Sequence, residues 1–366
     1  MVRPVGLCVE VAGCPTICQH CWAQGVPYPA MLVSDITYVL EQASAACAAA
    51  NRAFTAFPMH EVAAHPQAMQ VLRLFAAYPG DPSFDEGRPM FQPLSTTGVP
   101  LALRPDWAEV LATCRSLGTT VVWPAVHGWG ATHDRMVHRA GAYQETLLGI
   151  DRMRAAGMEV GCNVFLTREN VSQFDALVAD LLAHGVAQFA VEVATYLPTA
   201  RSRRYEAQRP TLADLVPLVE RVRALPGPFF HCEEWLNLAA YTEAAHVRRA
   251  LEGAWPTPSE PIWDGLDLIC RPNLDLYWGV AGRYGRRYGN LRRDDAQQVL
   301  RAALADGGGS SDALWFALDP IPDIRELAER YGDPSGDRVH LWEESPRRRW
   351  LDLAQQAIRN ATPHRT

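Results

Sequence analysis

Long hydrophobic runs and an excess of basic residues are both missing from this 366-residue chain. No stretch of about 18 or more apolar residues occurs. The first residues lead into a candidate strand without the apolar segment of a signal peptide. The formal net charge of -7 argues against a general nucleic-acid binder. These absences predict a cytoplasmic protein with no membrane or nucleic-acid partner.

A disulfide framework is not expected either, because the nine cysteines are an odd number and their only close grouping has metal-ligand spacing. That grouping follows the apolar run 5–11 and reads Cys14-Pro15-Thr16-Ile17-Cys18-Gln19-His20-Cys21. Three thiolates leave a tetrahedral zinc site one ligand short, whereas they hold three irons of a cubane cluster and leave the fourth iron open. Two other interpretations remain: three unrelated buried thiols, and a zinc knuckle that borrows a histidine.

The cysteine loop resembles the signature of the radical S-adenosyl-L-methionine (SAM) superfamily. The resemblance implies that Cys14, Cys18 and Cys21 bind one 4Fe-4S cluster and that the amino and carboxylate groups of SAM chelate the fourth iron. The residue before the third cysteine is commonly aromatic in that family and lies near the adenine. Here that position holds His20.

A second segment, 58–66, resembles the family's strand-two motif, Gly-Gly-Glu-Pro followed by His-Pro. In register, Met59-His60-Glu61 falls on Gly-Gly-Glu, so the glutamate is kept and the two glycines are missing. The resemblance implies that Glu61 contacts the amino group of SAM, a charge-assisted pairing of carboxylate and ammonium. The alternative is that Glu61 caps a helix over 66–78.

Apolar runs alternate with helical patterns along the first 225 residues. The patterns predict strands over 5–11, 53–57, 91–102, 119–126, 159–166 and 189–195, with helices between them, such as 34–50, 106–117 and 171–184. Together with the family resemblance, they predict an α/β fold. Its core is a partial (β/α)6 TIM-like barrel over 1–225, with a small α+β extension over 226–305 and a helical tail over 306–366.

Polar residues near the ends of the predicted strands are further candidates, because strand ends face the mouth of a barrel. His127 ends the fourth strand and is a candidate for substrate contact or proton transfer, or else a histidine hydrogen-bonded within a loop. The resemblance implies that Asn163, Glu192 and Thr195 help to hold SAM. The arginines of 201–204 are predicted to lie in a solvated loop, with a clamp for an anionic group as the alternative.

The predicted extension resembles the SPASM/twitch extension of the family at 269–278 and 288–291. That extension usually carries cysteines for auxiliary clusters, whereas here it holds only Cys232 and Cys270. We therefore predict that it carries no cluster, closes the barrel and shapes the substrate pocket. Either cysteine is a candidate donor of a hydrogen atom to a product radical; the alternative is that both are packing residues.

The resemblance implies an enzyme that cleaves SAM reductively to a 5′-deoxyadenosyl radical, which takes a hydrogen atom from an unactivated carbon. An external one-electron donor such as flavodoxin or ferredoxin is implied as a partner. Tailoring of a natural product is expected, by epimerisation, rearrangement or dehydrogenation. A small metabolite is slightly favoured over a ribosomal peptide, because no leader-recognition segment precedes the predicted barrel. The competing class is a non-enzymatic iron–sulfur electron carrier or a zinc protein.

Overall fold

The computed structural model describes residues 4–21, 23–78, 94, 96–226, 232–255, 266–280, 283–306, 322–342 and 344–361. The strands in these residues are β1 (Val5–Ala12), β2 (Phe54–His60), β3 (Val121–Val122), β4 (Ala125–Val126), β5 (Glu159–Phe165), β6 (Gln188–Glu192), β7 (Leu266–Cys270), β8 (Asp275–Val280) and β9 (Arg283–Asn290). They form a sheet with the order β2-β1-β7-β8-β9, and a second sheet in which β5 pairs with β3, β4 and β6.

The strand β1 lies inside the first sheet, with β2 and β7 parallel to it on either side. Its odd-numbered residues, Val5, Leu7, Val9 and Val11, are fully buried in the main core. Because side chains alternate along a strand, Cys8 and Glu10 point to the opposite face. This sequence, rich in valine and apolar residues, explains both the strand and its interior place in the sheet.

The second sheet is parallel throughout, since β3, β4 and β6 all run in the direction of β5. Parallel strands bring their carboxyl ends to one edge, so β4, β5 and β6 present His127, Phe165 and Glu192 together. The predicted strand over 119–126 is observed as the two short strands β3 and β4. The α/β class and the partial barrel are confirmed.

The predicted third strand is wrong over 99–102, where the chain forms a helix instead. Gly98 adopts φ +83° just before this helix, and Pro100 lies in its first turn. Proline suits the first turn of a helix because its missing N–H would have no partner there. Of the remaining positions of that prediction, residues 91–93 and 95 lie outside the described residues.

Helices cover the outer faces of the strands, as the alternating pattern predicts. The first of them packs Ile36, Val39 and Leu40 into the main core. The helices of the described residues up to position 306 are α1 (Val33–Ala49), α2 (Ala68–Ala76), α3 (Val99–Leu103), α4 (Trp107–Ser116), α5 (Ala131–Val137), α6 (Ala142–Ala155), α7 (Phe174–Ala183), α8 (Ala200–Tyr205), α9 (Leu212–Leu215), α10 (Val219–Arg223), α11 (Cys232–Leu236), α12 (Glu243–Leu251) and α13 (Ala296–Asp306). None of the helices in the described residues is long and apolar enough to cross a membrane.

The segment predicted as an extension is joined to the barrel through its first strand. β7 pairs in parallel with β1, and β8 and β9 then continue the sheet as antiparallel neighbours. The predicted hairpin over 269–278 is therefore observed, but its first strand belongs to the same sheet as β1 and β2. The described part of the tail contains two helices, Ile324–Tyr331 and Glu344–Ala361.

Candidate functional site

The three cysteines of the loop after β1 are gathered by short polar contacts. The hydroxyl of Thr16 lies 3.2 Å from the sulfur of Cys14 and 3.6 Å from that of Cys18. The backbone N–H of Gly25 donates to the sulfur of Cys21 over 3.3 Å. Two further backbone bonds, from Ile17 and Gln19 to the end of α5, anchor the loop to the barrel. The predicted ligand set is thus held on one short, fixed segment.

Burial makes all three thiols weaker acids than an exposed cysteine. It raises the pKa of Cys14 to about 12, with the nearby charge of Glu61 adding to the effect. Burial also raises the pKa of Cys18 and Cys21, while the Arg201 guanidinium acts in the opposite direction on both. Metal ligation requires thiolates, so iron would have to displace three protons here. Among the described residues, no group of three or more His, Cys, Asp or Glu side chains is arranged to hold a single metal ion.

Glu61 lies beside this loop at the end of β2, with 1% of its surface exposed. Its Oε2 accepts hydrogen bonds from the N–H of Thr97 (2.7 Å) and the hydroxyl of Thr97 (2.9 Å). Its Oε1 is buried without a partner. Burial raises the pKa of Glu61 to about 7. The alternative of a helix cap is wrong, because α2 begins after Gln67 and receives no side-chain cap.

His60 stands at the position that the resemblance assigns to the second glycine. It adopts φ +65°, a left-handed conformation that costs a non-glycine residue about 1–3 kcal/mol. A hydrogen bond between its Nε2 and Glu10 Oε1, 3.4 Å long, holds the imidazole. The chain therefore adopts a left-handed conformation at this position without a glycine.

Glu10 is the centre of a polar group that the sequence analysis missed. It lies on the inner face of β1 with 2% exposure, accepts a hydrogen bond from the hydroxyl of Tyr284 on β9, and lies 3.7 Å from Nε of Arg271. Burial alone would raise the pKa of Glu10, but the bonds from His60 and Tyr284 and the charge of Arg271 hold it below its usual range. The hydroxyl of Tyr28 is buried without a partner and interacts electrostatically with Glu10 and Tyr284. An acidic residue in an otherwise apolar strand was the signal for this group.

The rings of His20, His127, Phe165 and Tyr205 lie together and form an aromatic wall. The ring centroids of His20 and His127 are 4.6 Å apart, and the ring of His20 also lies 4.6 Å from Phe165 and 5.3 Å from Tyr205. Burial lowers the pKa of His20 to about 3 and that of His127 well below its usual value. Both imidazoles are therefore neutral near pH 7, which suits contact with a flat, uncharged ring better than proton transfer by His127.

The other predicted SAM contacts lie around the same sheet edge. Asn163 lies on β5 beside Ala125 and Ala190, and its side chain is half-buried. Glu192 ends β6 next to Phe165, and burial raises its pKa to about 7. Thr195 lies three residues further on and is half-buried. The structure thus places Asn163 on the strand that carries Phe165, Glu192 at the end of the neighbouring strand, and Thr195 in the segment after it.

The two cysteines of the extension are not brought to the loop by anything the structure describes. Cys270 is fully buried in the main core and stands in register with Val9, whose side chain points away from the face of Glu10. The packing role is therefore favoured for Cys270 over hydrogen donation. Cys232 begins α11, and its side chain lies outside the described residues.

The arginines of 201–204 do not form the predicted loop but lie in the short helix α8. Arg203 makes two 2.7 Å bonds to the buried carboxylate of Asp352. Arg201 reaches the cysteine loop, where its Nη1 donates to the carbonyl of Gly25 over 3.1 Å. The Thr199 hydroxyl, which accepts from the N–H of Ser202, explains why a helix starts here.

Fold comparisons place this arrangement among known structures. SuiB of Streptococcus suis, solved with the precursor peptide SuiA, has a TM-score of 0.50 and 14% identity, covering 93% of this chain and 76% of SuiB. The protein anSMEcpe, solved with bound AdoMet and the Cp18Cys peptide, has a TM-score of 0.50 and 11% identity, covering 98% of this chain and 99% of that one. HemN, the coproporphyrinogen III oxidase from Escherichia coli described as a radical SAM enzyme, has a TM-score of 0.43 and 13% identity, over 97% and 91% of the two chains.

SuiB and anSMEcpe are radical SAM enzymes, and this chain has their fold over almost its whole length. The fold that the cysteine loop implied is therefore confirmed. No protein-family model and no curated protein matches the sequence. At such low identities the likeness shows the fold alone.

Proposed function

We propose that this protein is a radical SAM enzyme, with a 4Fe-4S cluster on Cys14, Cys18 and Cys21 and SAM bound beside it. The observation that carries the proposal is the unpartnered Oε1 of Glu61, buried close enough to the thiols to raise the pKa of Cys14. A buried carboxylate oxygen without a partner is costly unless a ligand pairs with it. The ammonium group of SAM is a partner of the right charge.

The neighbouring residues fit the rest of SAM. The uncharged rings of His20 and His127 are proposed to contact the adenine, and Phe165, which stacks on His127, extends this aromatic surface. Asn163, Glu192 and Thr195 are proposed to contact the ribose and the carboxylate from the ends of β5 and β6. The cluster and SAM, when bound, supply the electron and the 5′-deoxyadenosyl radical that removes a hydrogen atom from the substrate.

The chain's own task is to hold the substrate carbon close and to keep water out. We propose that the group of Glu10, Tyr284 and Arg271 faces the substrate. These residues lie on or just beyond β1, β9 and β7, and their exposure increases outward from Glu10 (2%) to the Arg271 side chain (44%). Polar contacts thus lead from the loop towards solvent through the segment 226–305, as expected if that segment shapes the pocket.

We propose two candidate substrate classes. A small metabolite is the first. A peptide is the second candidate, because the structures of SuiB and anSMEcpe described above each contain a bound peptide. We propose hydrogen abstraction from an unactivated carbon in either case, in the tailoring of a natural product or in peptide maturation, with flavodoxin or ferredoxin as the electron donor.

A direct assay tests the proposed function. Anaerobically reconstituted protein, reduced with dithionite or with reduced flavodoxin, should release 5′-deoxyadenosine from SAM. The matched control replaces Cys14, Cys18 and Cys21 together by alanine and should release none. A wild-type protein that binds iron and accepts electrons but leaves SAM intact would instead be an electron carrier.

A further inference from the structure

Gly25 has both of its backbone groups engaged at the cysteine loop. Its N–H donates to the sulfur of Cys21 over 3.3 Å, and its carbonyl accepts from Nη1 of Arg201 over 3.1 Å. An N–H directed at a ligating sulfur stabilises negative charge on that sulfur. The orientation of this one residue therefore affects the electronic state of anything bound to Cys21.

The space around Gly25 leaves no room for a side chain. A Cβ at this position would lie 2.9 Å from the Cβ of Cys14 and 3.5 Å from Nδ1 of His60. Glycine is thus required here by close approach. Glycine also has the greatest backbone freedom of the amino acids, so the N–H of Gly25 keeps a fixed direction only if other contacts hold it.

Arg201 supplies such a contact from a distant part of the chain. It lies in α8, after β6, and is half-buried. The next arginines in the helix have other partners: Arg203 pairs with Asp352, and Arg204 bonds to the carbonyl of Ala200 in its own helix. Arg201 instead turns to the loop, where its positive charge acts on both Cys18 and Cys21.

We propose that Arg201 is a positioning residue that raises the reduction potential of the cluster, by holding the Gly25 N–H on Cys21 and by placing a positive charge beside two ligating sulfurs. Reduction adds one electron from the external donor to the cluster and breaks no bond. The added negative charge is stabilised by both effects, so the reduced state is favoured. This inference rests on the proposed function, because it requires the cluster.

The test is a redox titration of reconstituted protein without SAM, followed by the electron paramagnetic resonance signal of the reduced cluster. Arg201→Gln removes the charge while leaving an amide that can still bond to a carbonyl. At the wild-type midpoint potential, the ratio of reduced to oxidised cluster should fall about tenfold in this variant, which corresponds to about 59 mV for a one-electron couple. Arg204→Gln, in the same helix with the same loss of charge, is the matched control and should leave the midpoint unchanged.

An Arg201→Gln variant with full iron content and the wild-type midpoint would overturn the inference. Equal shifts in Arg201→Gln and Arg204→Gln would also overturn it, because the effect would then be one of general charge. If Arg201→Gln fails to load iron, Arg201→Lys replaces it: a single ammonium holds the carbonyl less firmly than the guanidinium does. That variant should shift the midpoint downward by less, and an unchanged value would refute the inference. Failure of the wild type to bind iron would refute the proposed function instead.

Discussion

Glu61→Gln offers the sharpest test of the proposed SAM site. The substitution keeps the size of the side chain but removes the charge from a buried group whose Oε1 has no partner. Hydrogen bonds to charged groups contribute about 1.5–3 kcal/mol. The loss of one such bond to the SAM ammonium should raise the Kd for SAM about tenfold to a hundredfold. Iron content should stay the same, because Glu61 is not a proposed ligand.

The same residue predicts how SAM binding depends on pH. Burial raises the pKa of Glu61 to about 7, so below pH 7 the carboxyl is mostly protonated and must lose a proton to pair with an ammonium. Wild-type affinity should therefore fall by about tenfold for each pH unit below 7 and level off above it. The free energy of unfolding of the SAM-free protein depends on pH in the opposite sense. Because the pKa of Glu61 is raised in the fold, its protonated form stabilises the fold at low pH, and this contribution is lost as the pH rises through 7.

The measurement is a calorimetric titration of SAM into oxidised, reconstituted protein at pH 6, 7 and 8. Glu220→Gln, an exposed carboxylate on α10 with 82% side-chain exposure, is the matched control and should behave as wild type. In Glu61→Gln the affinity should be weak and should lose this dependence on pH. Equal affinities in wild type and Glu61→Gln at all three pH values would mean that Glu61 only holds Thr97.

Three further predictions concern the loop and its surroundings. Anaerobic reconstitution should give about four irons per chain, bound through Cys14, Cys18 and Cys21; a value near eight by colorimetric iron analysis would mean that a second cluster is present. Gly25→Ala should lower iron content, because the new Cβ meets the Cβ of Cys14 at 2.9 Å; full loading would contradict the crowding argument. Glu10→Gln should reduce the free energy of unfolding at pH 7 by about 1–3 kcal/mol. Because the pKa of Glu10 is lowered in the fold, its contribution to the free energy of unfolding is present above the usual pKa and disappears as the pH falls through the lowered value. Denaturant unfolding curves of wild type and Glu10→Gln that coincide at pH 7 would refute this prediction.

The sequence was sufficient for the features that depend on local pattern. The cysteine loop and the alternation of strands and helices were visible as spacing and periodicity, and the glutamate after β2 was found through the resemblance of segment 58–66 to the family motif. The predicted role of Glu61 could be stated before the structure, because its motif is contiguous in the chain. The helix over 99–103 was missed because an apolar run of that length fits a strand and a buried helix equally well.

The remaining parts of the site depend on contacts between distant residues. Arg201 meets Gly25 across 176 positions, and Tyr284 meets Glu10 across 274. No local pattern encodes such pairs, so the arginines of α8 looked like a solvated loop. Likewise, the left-handed backbone of His60 could not be read from a sequence in which the expected glycine was absent, because the compensating bond comes from another strand.

The position of β7 beside β1 has a consequence for how the protein is made. β1 gains its first neighbour by residue 60 but its second only with residues 266–270. At a synthesis rate of about 5–20 residues per second, β7 is synthesised roughly 10–40 seconds after β2, and during that time one edge of β1 is unpaired. An open apolar edge is a template for pairing with other chains. A fragment that ends near residue 225 should therefore aggregate, and expression of the full chain should benefit from slow growth and chaperones that cover nascent strands.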